Sequence, residues 1–198
     1  MFDRLFGKKT QDEEAVSSAK RRASALSGSS SAELAASLLH APSALAQLTH
    51  DDALAVVSYM KPLTIKAGET FIKEHDKTHT DFMLLVLRGD VSVESIVVSR
   101  TEPITVTVLS EGSLIGEMGL LDGEPRSASC TAMTDLVCAM LTRAALNELL
   151  SDDPRTAAKL LMAISLRIAE RMRDSAEKLK MYAQLTQAMQ EEINAGRL

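Results

Sequence analysis

Residues 111–132 read EGSLIGEMGLLDGEPRSASCTA, and the order of chemistry along them decides what must surround them. A glycine, Gly116, opens a run that can form a one-to-two-turn helix through Leu121. The first N–H groups of that helix have no intrahelical partner, and with the helix dipole they suit a phosphate oxygen. Gly116 lets the backbone approach it closely. Glu117 enters the helix as a pure acceptor, fit for a ribose hydroxyl that supplies the donor. Arg126, nine residues beyond the acid, presents a planar fork of donors that stays charged and can pair with one phosphate in a partly desolvated pocket. Ser127 adds a hydroxyl and a backbone N–H. A lone Gly-Glu carries no weight; Gly-Glu-Met-Gly-Leu-Leu followed by Arg-Ser-Ala does.

Outward from this stretch the hydrophobic period is two. Between Leu63 and Leu141 short apolar runs at Thr64-Ile65-Lys66, Ile104 to Val108 and Leu136 to Met140 are broken by Gly68, Gly89, Gly112 and Gly123, which describes an all-β region. Met83 to Leu87 is continuously apolar, and Gly89-Asp90 after it can supply the positive φ of a tight hairpin into Val91-Ser92-Val93. Both strands are expected in one antiparallel roll.

Helical spacing flanks the strands on either side. Upstream, Leu34, Leu38, Leu45 and Leu48 recur among alanines, and Thr49 with Asp51 and Asp52 caps a helix carrying Leu54, Val57 and Met60, which Pro62 stops. Downstream, Thr142 caps a helix through Leu150, and Asp153-Pro154 begins a long one. Its apolar stripe runs through Leu161, Ile164, Ile168 and Met172 to Leu179, Tyr182, Leu185, Met189 and Ile193, with no Gly or Pro before Gly196. Some forty residues reach about 60 Å, longer than a roll needs for cover, so the excess is expected to pack on a second copy. The fold class expected is α+β: an antiparallel β-roll, jelly-roll-like, with N-terminal helices and a long C-terminal helix over about 154–193.

Composition narrows the rest. At 198 residues, 45% hydrophobic and 25% charged, the chain can bury one main core. A net charge of -5 argues against nucleic acid, whose phosphates need a basic face. Without an apolar run of membrane-spanning length or a signal peptide, the expected location is cytoplasmic. Cys130 and Cys138 lie in strand-like stretches and read as buried, reduced thiols rather than a disulfide or metal pair. His75 and His79 fall in a polar loop with Asp76 and Asp81, and no metal site is expected. Residues 1–30 read as a flexible tail that tethers residues 31–198. Within it residues 1–9, with Phe2, Leu5, Phe6, Lys8 and Lys9, suit an amphipathic tip; so short a segment buries little area, and the reading favours a frayed terminus over membrane contact.

The run Gly116-Glu117-Met118-Gly119-Leu120-Leu121, followed by Pro125-Arg126-Ser127-Ala128, resembles the phosphate-binding cassette of cyclic-nucleotide-binding domains, particularly the bacterial catabolite activator protein group. The likeness extends over residues 45–180, through Ala67-Gly68-Glu69, Leu87-Arg88-Gly89-Asp90, the cassette and the long helix. The resemblance implies a ligand site at Gly116, Glu117, Met118, Gly119, Arg126 and Ser127, with Glu117 on the ribose and Arg126 on the cyclic phosphate. In the long helix Ser175 matches the first hydroxyl of a Thr-Ser pair that faces adenine in bacterial relatives, while Ala176 replaces the second. The implied ligand is cAMP, with cGMP left open. The chain is read as a sensor that signals to an unidentified effector, as a homodimer through the long helix, with no cofactor, no catalytic residue and no direct DNA binding, since no helix-turn-helix follows Tyr182. The alternative is a ligand-free scaffold in which Glu117 and Arg126 pair with each other. An arginine awaiting phosphate is expected to be partly hydrated.

Overall fold

The computed structural model describes residues 29–41, 44–95 and 104–195. The tail and its amphipathic tip lie outside the described residues, apart from Ser29 and Ser30. The elements run α1 (Ser30–Leu39), α2 (His50–Val57), β1 (Lys61–Ile65), β2 (Thr70–Ile72), β3 (Phe82–Arg88), β4 (Val91–Ser95), β5 (Ile104–Leu109), β6 (Leu114–Ile115), α3 (Glu117–Asp122), β7 (Ser129–Ala132), β8 (Leu136–Thr142), α4 (Arg143–Asp152) and α5 (Pro154–Ala195). This is the expected α+β roll. The chain divides into two compact units, one ending at Ala163 and one beginning at Ile164.

Two four-stranded antiparallel sheets, ordered β1-β8-β3-β6 and β2-β7-β4-β5, face each other. Their core mixes side chains from both: Ile65, Leu84, Val86, Ile115, Leu136 and Cys138 from the first, and Ile72, Val91, Cys130 and Ala132 from the second. β3 is apolar on both faces because its other face, carrying Met83 and Leu85, is covered as well, α1 packing against it. Both cysteines are free and buried, and burial pushes the Cys138 thiol up to about 11.

The caps act where the side chains predict. Thr49 Oγ1 accepts from Asp52 N while Asp52 accepts from Thr49 N, a full capping box. Asp52 also receives Lys159 Nζ at 2.6 and 2.8 Å, tying the start of α5 to α2. Burial raises the Asp52 pKa, but Lys159 and Thr49 together hold it below the usual carboxylate value. Thr142 caps α4, and Asp153 caps α5 through Thr156 N at 3.1 Å.

Two expectations are corrected. Pro62 does not stop the helix, which ends at Val57; it lies inside β1, an edge strand where a missing N–H is tolerated. Gly89 does adopt a positive φ of 96°, but β3 and β4 belong to opposite sheets and form no hairpin. The bonds of this turn go sideways: Asp90 N donates to Thr134 Oγ1, and Met133 N donates to Asp90 O. A Cβ on Gly89 would stand 2.8 Å from the carbonyl oxygen of Asp135, so the glycine serves a crossover packed against the 134–136 turn.

Candidate functional site

The stretch from Gly116 to Ser127 is built around the guanidinium of Arg126. The residue is 4% exposed, and its Nε, Nη1 and Nη2 donate to the main-chain oxygens of His79 (3.0 Å), Gly116 (2.9 Å) and Phe82 (3.0 Å). Its Cζ lies 4.5 Å from the centre of the Phe82 ring, a cation–π contact. Its main chain is held too, since His75 N donates to Arg126 O and Arg126 N donates to Asp76 O. Burial lowers the Arg126 pKa, with Cys130, Asp76, Asp81 and Glu117 acting in the opposite direction. The expectation of a partly hydrated arginine is therefore overturned: main-chain carbonyls from two segments desolvate the head group.

This explains both glycines of the motif. Gly116 is the N-cap of α3 with φ 83°, and a Cβ there would stand 2.6 Å from Arg126 Nη1. A Cβ on Gly119 would stand 2.8 Å from the same nitrogen and 2.9 Å from Thr80 O. The spacing Gly-x-x-Gly puts two bare backbone positions one helical turn apart, and the guanidinium fills the space.

Glu117, the first residue of α3, is 3% exposed, whereas Met118 is 44% exposed. Ser127 is exposed, and its hydroxyl makes no hydrogen bond to the described residues. Gly116, Glu117, Met118, Gly119, Arg126 and Ser127 thus fall on one short stretch within the first unit. Ser175 belongs to the second unit, exposed, with its hydroxyl donating to Arg171 O at 2.8 Å along its own helix.

Sequence reading missed the loop before β3 and a second arginine. Thr80 Oγ1 donates to Gly123 O at 3.2 Å, and the His79 and Phe82 carbonyls serve Arg126. Arg143, at the start of α4, donates Nη2 to Gly119 O at 2.8 Å, and its N donates to Asp81 O at 2.7 Å. The Nε of Arg143 is buried without a partner among the described residues. Nothing in the sequence marks these contacts, because carbonyls are common to every residue. His79 and Asp76 form an exposed pair at 3.1 Å, and Thr78 holds the Asp76 carboxyl well below its usual range through its N–H and hydroxyl. Among the described residues no group of three or more His, Cys, Asp or Glu is placed to hold a metal ion. A cavity of about 390 Å³ lies between α1 and the β1-β8-β3 strands, and none of its lining residues belongs to the cassette.

Residues 62–153 match the sequence model of the family described as the cyclic nucleotide-binding domain. A cyclic nucleotide-binding domain from Methylobacillus flagellatus superposes with a TM-score of 0.64 at 27% identity, covering 75% of this chain and 82% of that one. The Thermus thermophilus catabolite activator protein gives 0.60 at 25% identity, over 74% of this chain and 62% of that one. The CRP-like cAMP-activated global transcriptional regulator of Mycobacterium tuberculosis is 24% identical over 127 residues, 64% of this chain. This chain's match covers about half of that relative, 52% of its length. Residues 62–153 thus match the cyclic nucleotide-binding domain, and the roll is similar to those of these relatives. The chain's described C-terminal region is a single long helix, with no helix-turn-helix among the described residues.

Proposed function

We propose that this protein is a cAMP sensor that binds ligand in the cassette, dimerises through α5 and passes the bound state to a partner protein, without catalysis. The observation that carries the reading is the buried Arg126 cation, whose hydrogen-bond acceptors are neutral carbonyls. A guanidinium has five N–H groups, and three are used, so one on each Nη is left for an anionic oxygen. Glu117 on the adjoining turn would accept the ribose hydroxyl, and the exposed Ser127 would add a donor to the phosphate. The family match supports a cyclic nucleotide, and the relative named as cAMP-activated supports cAMP as that nucleotide.

One observation favours a ligand-free scaffold: Arg126 already holds two segments together and needs no phosphate to satisfy those three donors. Replacing Arg126 cannot separate the readings, since the unliganded fold depends on it in both. Ser127→Ala can, because that side chain supports nothing in the fold. Titration calorimetry and thermal shift with cAMP and cGMP are the test. Ligand at a hundred times its dissociation constant stabilises by about 2.7 kcal/mol. Binding of cAMP that weakens roughly 3- to 10-fold in Ser127→Ala, with unchanged unliganded melting, fits the sensor. No shift with either nucleotide leaves the scaffold.

A further inference from the structure

The helix α1 faces the first sheet with alanine. Ala32, Ala35 and Ala36 are buried on α1, which packs on β3, and side chains this short leave space between helix and strands. That space is the cavity of about 390 Å³, within the range of roughly 300–1,000 Å³ usual for small-ligand sites. Its size exceeds the small voids of an ordinary close-packed interior. The walls are aliphatic: Leu34 and Ala35 from α1, Met60 and Pro62 where the chain enters β1, Leu87 from β3 and Val137 from β8.

Charge in the lining is of one sign. Lys61 and Arg88 line the cavity, both exposed, and no acidic residue does so, although the chain carries a net charge of -5. Neither cation is paired with a carboxylate among the described residues. Register separates the two. Arg88 stands opposite Val137, and directly opposed side chains leave a sheet on the same face, so Arg88 shares the face of the aliphatic wall. Lys61 stands opposite Met140, which packs on the core between the sheets, on the other face. Ser29 and Ser31, at the start of α1, add hydroxyls to the lining.

We propose that this cavity binds a medium-chain fatty carboxylate, its chain against the aliphatic walls and its head group on Arg88. An aliphatic chain is favoured over a base or an aromatic ring, since no aromatic side chain lines the space for stacking. A carboxylate is favoured over a neutral head because the guanidinium fork holds both of its oxygens at once. Walls drawn from α1, β1, β3 and β8 suit a small molecule rather than an added helix or strand. No residue of the cassette takes part, so this site is independent of the cAMP reading.

Octanoate is the probe, titrated into the full chain by calorimetry below its micelle concentration. One site per chain is expected, and it should persist in saturating cAMP. Arg88→Gln, an exposed position, should weaken octanoate about 2- to 5-fold and leave the binding of neutral octanol unchanged. Ala32→Leu should fill the space, weakening both probes at least tenfold while unliganded melting stays level or rises. Absence of octanoate binding overturns the proposal. Binding abolished by cAMP places the probe in the cassette and overturns it as well. Equal losses of octanoate and octanol in Arg88→Gln remove that residue as the seat of the head group. Two other occupants are read in the same titrations. Octanoate that binds ten times more tightly to a full chain carrying Phe2→Ser, Leu5→Ser and Phe6→Ser gives the cavity to the chain's own first residues. Binding that weakens as protein concentration rises gives it to a second copy, and either result overturns the fatty carboxylate.

Discussion

The cassette and the outer half of α5 are both rich in charge and apolar side chains, yet they handle them in opposite ways. In the cassette Arg126 and Glu117 are 4% and 3% exposed, enclosed by strands and loops of the same chain. Along α5 from Arg171 to Asn194 the methionines, leucines and Tyr182 stand in solvent beside Arg171, Lys178 and Glu192. In the first region one chain supplies every neighbour, so contacts and their strength can be read directly. In the second a seam of helical period has no cover in its own unit, and its energy depends on what arrives. Mutations in the cassette should therefore register in a single chain at any concentration, and mutations along the seam only through association.

The largest effect should come from Arg126→Ala. Losing three charge-assisted bonds and the Phe82 contact from a buried site should destabilise the unliganded protein by about 3–5 kcal/mol. That lowers the melting temperature by roughly 6–20 °C for a domain of this size, measurable by calorimetry. A drop under 2 °C would show that the cassette does not depend on its arginine.

Next comes Gly116→Ala, expected to cost about 2–4 kcal/mol from left-handed strain plus collision with Arg126 Nη1. Gly68→Ala is the internal control, since Gly68 has nearly the same φ, 82°, but nothing within 4 Å of its Cβ position. Only the strain should remain there, about 1–2 kcal/mol. Equal losses at the two glycines, by chemical denaturation, would remove packing around Arg126 as the reason for the motif.

A smaller effect lies at Asp52. Its folded pKa is depressed, so its contribution to stability is complete above the unfolded value and is lost as pH falls through the lower folded one. The stability curve of Asp52→Asn should accordingly lie about 1–3 kcal/mol below the parent at pH 7 and approach it toward pH 3. Curves that stay parallel down to pH 3 would rule out the Lys159 and Thr49 contacts as the source.

The smallest effect should follow deletion of residues 171–198. Residues 171–194 are exposed within the single chain, so the melting of dilute protein should change by less than about 1 kcal/mol. What should vanish is the dependence of melting on protein concentration. A large loss at high dilution would mean that the outer helix supports the roll directly.

Much of this molecule was legible in the sequence, because the signals involved are local. Period-two runs located β1, β5 and β8, a continuously apolar run located β3, and Thr49, Thr142 and Asp153 capped helices as their side chains predict, since a cap is decided within three or four residues. The joint Gly-Glu-x-Gly and Arg-Ser pattern marked the stretch whose glycines and arginine pack together in the fold. Tertiary structure alone decided that Gly89 leads from one sheet to the other, that Pro62 lies in an edge strand, and that Arg126 is enclosed. The first two depend on which strands pair, and the third on main-chain carbonyls of residues distant in sequence, His79 and Phe82. Carbonyls carry no residue identity, so no pattern of side chains could announce them; only the folded chain brings them within 3 Å of the groups they bind.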